Sequence, residues 1–154
     1  MTPGTMPLKV VAHDQQGKLI KGFFQAADVS SPSELPEQSG RIPARVMLTT
    51  EEGKKIRVNL DDMKALFFVK SFEGRKEYSE IKFFESNPTH EGIWARLTFE
   101  DGESLEGVIR NSLQFLNEPA FFLKPPDPQS NNQLIYVVKS ALKDFRVLGI
   151  RNHY

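Results

Sequence analysis

Residues 94–111, W-A-R-L-T-F-E-D-G-E-S-L-E-G-V-I-R-N, decide how the chain is read. Apolar and polar residues alternate from Trp94 to Phe99, break at Asp101-Gly102, and alternate again from Leu105. A period of two sends successive side chains to opposite faces, so the stretch predicts two half-buried antiparallel strands. Asp-Gly tolerates positive φ, which a tight hairpin connection requires. After the loop-like N-E-P-A-F-F-L-K-P-P-D-P-Q-S-N-N comes a second apolar run, Q-L-I-Y-V-V-K-S-A-L-K-D-F-R-V-L-G-I, residues 133–150.

The front of the chain reads as a looser copy of this stretch. V-V-A-H-D-Q-Q-G-K-L-I-K-G-F-F-Q, from Val10, predicts a strand, a turn at Gln16-Gly17 and a second strand. Gly17 and Gly22 frame Leu19 as Gly102 and Gly107 frame Leu105. A glycine inside a strand marks a bulge or bend, as a small curled sheet needs. Ile56-Arg57-Val58 and Lys64-Ala65-Leu66 are echoed by Ile135-Tyr136-Val137 and Lys143-Asp144-Phe145. Gly102 follows Gly17 by 85 residues and Ile135 follows Ile56 by 79. The difference falls in loops, where length changes are tolerated. This predicts an internal duplication of a unit of about 55–60 residues.

The expected architecture is all-β: two tandem Sm-like or SH3-like small barrels, with a one-turn helix before the last strand of each. Residues 1–8 form a disordered lead, 9–72 the first unit, 73–92 a connecting segment, and 93–151 the second unit. Ser30–Pro43, with three prolines and four serines, is a long surface loop. Tyr78–Phe84 suits either a short helix or an extra strand.

Composition narrows the function. The 154 residues hold 20 Lys+Arg against 20 Asp+Glu, so no net field draws the chain to nucleic acid or anionic lipid. Twelve Phe supply a core despite the short length. With no cysteine there is no disulfide or thiolate chemistry, and a reducing compartment fits. No apolar run reaches the ~18 residues of a membrane span, and Met1–Leu8 lacks a signal-peptide layout. A cytoplasmic location is expected. His13, His90 and His153 are too scattered for a metal site, and no nucleophile–base pair or phosphate loop is visible, so neither enzyme activity nor a cofactor is expected.

Both halves resemble the Sm-like fold, in which Hfq-type RNA chaperones belong. The shared features are Asp101, Gly102, Leu105 and Gly107, then Lys139, Ala141 and Leu142. The first half is similar at Gly17, Leu19 and Gly22 but lacks the late K-x-A-[IL] run. That resemblance implies a surface where RNA bases stack on loop aromatics. Lys139 matches the family's basic residue, but Ser140 stands where Hfq-type members have histidine. The hairpin at Glu100–Glu106, rich in carboxylates, would repel phosphate. The whole chain is also similar to an uncharacterised bacterial family. The phrases are M-K-A-L-F-F-V-K-S-F-E-G (Met63–Gly74), Asp101–Gly107, and F-F-L-K-P-P-D-P-Q-S-N-N (Phe121–Asn132).

Candidate binding residues follow. Arg41 and Arg45 have the R-x-x-x-R spacing of PilZ domains that clamp cyclic di-GMP, although the downstream PilZ motif is one residue too long here. Asp127, Asn131 and Asn132 lie on a proline-stiffened run, either a recognition loop or a self-capped turn. Phe68 and Phe122 belong to aromatic pairs whose members point to opposite strand faces, so something must cover the outer ring. That cover is the other half or a partner chain. Lys139, Lys143 and Arg146 form the one local basic excess. The expected role is a non-catalytic binding or regulatory module acting through protein–protein contact, with a protein partner or a homodimer. RNA binding through an Sm-like surface and cyclic di-GMP binding of PilZ type are the alternatives.

Overall fold

The computed structural model describes residues 8–24, 44–73, 83, 91–111, 113–127 and 130–151. The first half holds β1 (Leu8–Asp14), β2 (Leu19–Phe24), β3 (Arg45–Thr49), β4 (Lys55–Asn59) and β5 (Met63–Val69). The second holds β6 (Gly92–Phe99), β7 (Ser104–Ile109), the short helix α1 (Leu113–Asn117), β8 (Ala120–Leu123), β9 (Asn132–Val138) and β10 (Leu142–Arg151). Single 3-10 turns at Leu60–Asp62 and Lys139–Ala141 precede β5 and β10. The predicted turns at Gly17 and Gly102 are present, with φ of 94° and 93°. Leu8 belongs to β1 rather than to a lead segment. The Ser30–Pro43 loop and nearly all of 73–92 lie outside the described residues.

All strand pairings are antiparallel, and the all-β class holds. The barrels do not form as expected. One sheet has seven strands in the order β4-β3-β2-β1-β5-β9-β8, the other three in the order β10-β6-β7, and neither is closed. The boundary between halves is crossed by a strand pair, β5 with β9, in the register Leu66↔Tyr136 and Phe68↔Leu134. The reason lies in β5 itself. M-K-A-L-F-F-V is apolar on both faces apart from Lys64, and every residue is buried. A strand apolar on both faces cannot serve as a solvated edge; it needs a neighbour on each side and a core above and below. At the corner, Val108 and Lys124 exchange backbone hydrogen bonds of 3.0 and 2.9 Å, joining β7 to the strand region that follows β8.

Two hydrophobic cores flank this junction. Leu66 and Phe68 of β5 enter the first with Leu134 and Tyr136 of β9. Ala65 and Phe67 enter the second with Ile135 and Val137. Each half therefore completes the other's core, with about 1.5–3 kcal/mol gained for each large side chain buried.

The repeat extends to single hydrogen bonds. Ala12 pairs with Leu66 and Leu97 with Phe145; Val10 pairs with Phe68 and Ala95 with Val147. A register shift interrupts both ladders next to Lys64 and next to Lys143. The Gln15 amide donates to Asp62 O at 3.0 Å, and the Glu100 amide donates to Ala141 O at 2.9 Å. The mid-strand glycines match as well. A Cβ on Gly22 would lie 2.9 Å from Leu48 Cβ, and one on Gly107 would lie 2.6 Å from Leu123 Cδ1 and 2.7 Å from Lys124 O. Both glycines let the next strand fold across the hairpin. Gly22→Ala and Gly107→Ala should each destabilise the fold by about 1–3 kcal/mol through overpacking. Gly107→Ala should cost more, because its Cβ would come within 2.7 Å of a backbone oxygen, Lys124 O, against 3.2 Å from Thr49 O for Gly22. Thermal unfolding would show it, and an unchanged midpoint for Gly107→Ala would contradict the close packing.

Candidate functional site

The sequence-derived candidates separate into three groups. Phe68 and Phe122 are not surface residues. Both are buried in the first core with ring centroids 6.5 Å apart, because β5 and β9 bring the halves face to face there. The proline run is a structural clip. Asn131 Oδ1 accepts the Ser71 amide at 2.9 Å while its Nδ2 donates to Ser71 O at 2.9 Å. Ser130 donates its amide to Asp127 O at 3.1 Å, and Ser130 Oγ accepts the Asn132 amide at 3.0 Å. Asp127 and Ser130 are buried. This run fastens the chain after β5 to the start of β9. Arg41 lies outside the described residues; Arg45 is exposed at the start of β3.

Lys139 and Lys143 do come together, at one edge of the second half, while Arg146 is not brought to them. Lys139 sits in the 3-10 turn and the other two on β10. Beside them opens a cleft of about 330 Å³ floored by Phe115, Phe121, Leu142 and Phe145 and rimmed by Lys139, Lys143 and Asp144. The three rings form a triangle, with centroids 5.2 Å apart for Phe115–Phe121, 5.5 Å for Phe115–Phe145 and 6.0 Å for Phe121–Phe145. Two of these contacts are edge-to-face, a favoured aromatic geometry. Lys139 Nζ donates to Phe115 O and lies 5.3 Å from that ring's centroid. Burial pulls its pKa down, against the pull of Glu118. Arg146 leans away from the cleft onto Asp144, at 2.8 Å.

Among the described residues β10 pairs on one side only, with β6. Beyond the cleft, Val147 is 52% exposed, Leu148 38% and Ile150 60%. Its counterpart β5 is wholly buried. The cleft and the strand edge are thus one continuous apolar surface, with lysines at its mouth. Sequence reasoning found the lysines but missed Phe115, Phe121 and Phe145. A five-residue helix is too short to show periodicity, so nothing local marked Phe115.

A second cluster joins the halves. Lys64, nearly buried in β5, bonds Asp101 at 2.7 Å and also Glu103, both in the β6–β7 turn. Its Nζ lies 4.6 Å from the centroid of Phe99. Burial alone would lower its pKa, but the hydrogen bonds to Asp101 and Glu103 prevail and raise it. Asp101 is held below its usual value, first by the Lys64 hydrogen bond and then by the Glu103 amide. His13 packs on Phe67 with centroids 4.4 Å apart. Burial, then the Lys64 charge, lowers its pKa, with Glu103 and Asp101 opposing. Their geometry is that of a bolt between units. A lysine inside an otherwise apolar strand was the available sequence signal. Among the described residues no group of His, Asp and Glu could hold a metal ion, and no helix is long and apolar enough to cross a membrane.

The chain belongs to a family of unknown function, DUF6982, whose model matches residues 6–149. No curated protein and no solved structure matches it.

The His13 shift sets a pH dependence. Its folded pKa lies below 6.5, so above 6.5 the imidazole is neutral in both states. As pH falls below 6.5, the unfolded chain takes up a proton that the folded chain resists, and stability drops. Asp101 acts lower: its depressed pKa contributes stability above 3.8 that is lost as pH falls through the folded value. Thermal midpoints should therefore decline in two stages on acidification. His13→Gln should remove the first stage alone. A single decline unaffected by that substitution would refute the assignment.

Proposed function

We propose that the protein is a non-catalytic binding or regulatory module of the cytoplasm that acts through protein–protein contact at the open end of its second half. One observation carries the reading: the apolar end of the first half is covered by β8 and β9, while no strand among the described residues covers the equivalent end of the second half. Exposed Val147 and Ile150 continue into the aromatic cleft there. A solvated apolar cleft beside an unpaired strand edge is an aggregation liability unless something occupies it. Surfaces of this kind recur at binding sites. On the same reading the two halves are Sm-like units. The support is five strands per half, a 3-10 turn before the last, and first-to-last strand pairing in both.

A photo-cross-linking amino acid placed at Val147 in living cells should trap a discrete partner. The same group at exposed Lys18, on the opposite half, should not. Ile150→Asp should abolish the Val147 product. If Val147 yields nothing beyond what Lys18 yields, the contact reading fails.

A specific observation also favours RNA as a second reading. The outer face of β3–β4 carries Arg45, Lys55 and Arg57, all exposed. Clustered cations of this kind neutralise phosphates with a steep salt dependence. Poly-U or poly-A should shift in a gel at low salt, less so at moderate salt, and not with Arg45→Glu/Arg57→Glu. Absence of any shift at micromolar protein would end this reading.

A further inference from the structure

The internal junction shows what the open end is shaped to receive. In the first half, Val46, Leu60, Met63 and Leu66 share one core with Phe122 of β8 and Tyr136 of β9. The pairings give the corresponding residues in the second half. Leu66 pairs with Ala12 as Phe145 pairs with Leu97, Met63 with Asp14 as Leu142 with Phe99, and Val46 with Val58 as Phe121 with Val137. Phe121, Leu142 and Phe145 are cleft residues. The cleft therefore takes the corresponding place, with Lys139 where the first half has Leu60, and no strand among the described residues covers it. The edge of β10 is likewise the edge that, on β5, accepts β9.

A second copy of the chain fits poorly. The surface it would offer is the outer face of β3–β4, the counterpart of the β8–β9 face. There the places of Phe122, Leu134, Tyr136 and Val138 are taken by Met47, Lys55, Arg57 and Asn59, all exposed. Docking it would press two cations toward an apolar seat rimmed by Lys139 and Lys143. Burying unpaired charge is costly, and like charges add repulsion. Glu118 acts on Lys139, while Asp144, also on the rim, is already bonded to Arg146. The same lysines favour an acidic visitor.

We infer that the cleft and β10 together receive an extended segment of a different protein, apolar-x-aromatic in pattern and flanked by acidic residues, which adds as a strand along β10. Main-chain hydrogen bonds then supply affinity, and alternate side chains entering the cleft supply specificity. The inference rests on the protein-contact reading above and names the kind of partner.

The test uses the full chain and a peptide carrying this protein's own Asn132–Val138 sequence with glutamates at both ends. Trp94 is the only tryptophan, and its ring lies under Gly149 of β10, so its fluorescence reports on that strand. Saturable binding is expected, with slowed hydrogen exchange of β10 amides. Affinity should fall roughly tenfold or more in Val147→Glu, an exposed position where folding is not at stake, and likewise when lysines replace the flanking glutamates. If the peptide neither protects β10 nor outcompetes its lysine-flanked twin while Val147 still cross-links a partner in cells, strand addition is overturned and the contact reading stands. If both experiments are blank, both fall. If β10 protection rises with protein concentration alone, the occupant is a second copy and the inference is overturned.

Discussion

The pairing of β5 with β9 is the constraint from which the rest of the structure follows. Both strands are buried on both faces through most of their length, and each sends alternate side chains into two different cores. Neither half could bury these residues alone: without β9, Phe67 and Phe68 would flank an edge strand. The Lys64 bolt and the Asn131 clip reinforce this pairing from its two ends. A lysine so enclosed is tolerable because two carboxylates meet it. Without them it would be an unpaired buried charge, among the more costly defects in a small core.

Using the junction once makes the molecule asymmetric. A unit that joins the next through its last strand leaves one unsatisfied surface at each end of the pair. The two leftover surfaces have diverged in opposite directions. On β3–β4 the outer positions carry cations, a common way to keep a sheet edge from templating further pairing. On β10 the apolar character is partly kept, at Val147 and Ile150, and the cleft behind it remains open. The two ends of the pair therefore differ in character, one cationic and one apolar. Asp144 and Arg146, bonded to each other on the outer face of β10, leave the core-side positions of that strand available.

The candidate site was half legible. Lys139, Lys143 and Arg146 stood out as a local excess of charge, and the structure brings the two lysines to one cleft while Arg146 pairs with Asp144. The aromatic floor did not stand out, since Phe115, Phe121 and Phe145 come from a short helix and two strands brought together only by folding. Phe68 and Phe122 show the converse. An adjacent pair of phenylalanines says that one ring needs cover, not which surface provides it. The Pro125–Asn132 run is another such case: the Ser130 and Asn131 side chains bond the Asn132 amide and Ser71.

By itself the amino-acid sequence determined the strands, their tight turns and the repeat. These rest on local physics: period-two alternation, glycine at positive φ, and spacing between like residues. Even the register agrees with the spacing, for the 85- and 79-residue offsets between copies reappear in the paired strands. What only the tertiary structure decided is which strand lies beside which across the two halves. Two self-closed barrels and one shared sheet spell the same alternation, because the pattern records that a face is buried and not what buries it. The choice went to the shared sheet because β5 is apolar on both faces, and β9 alone offers it a second partner strand and a second core at once.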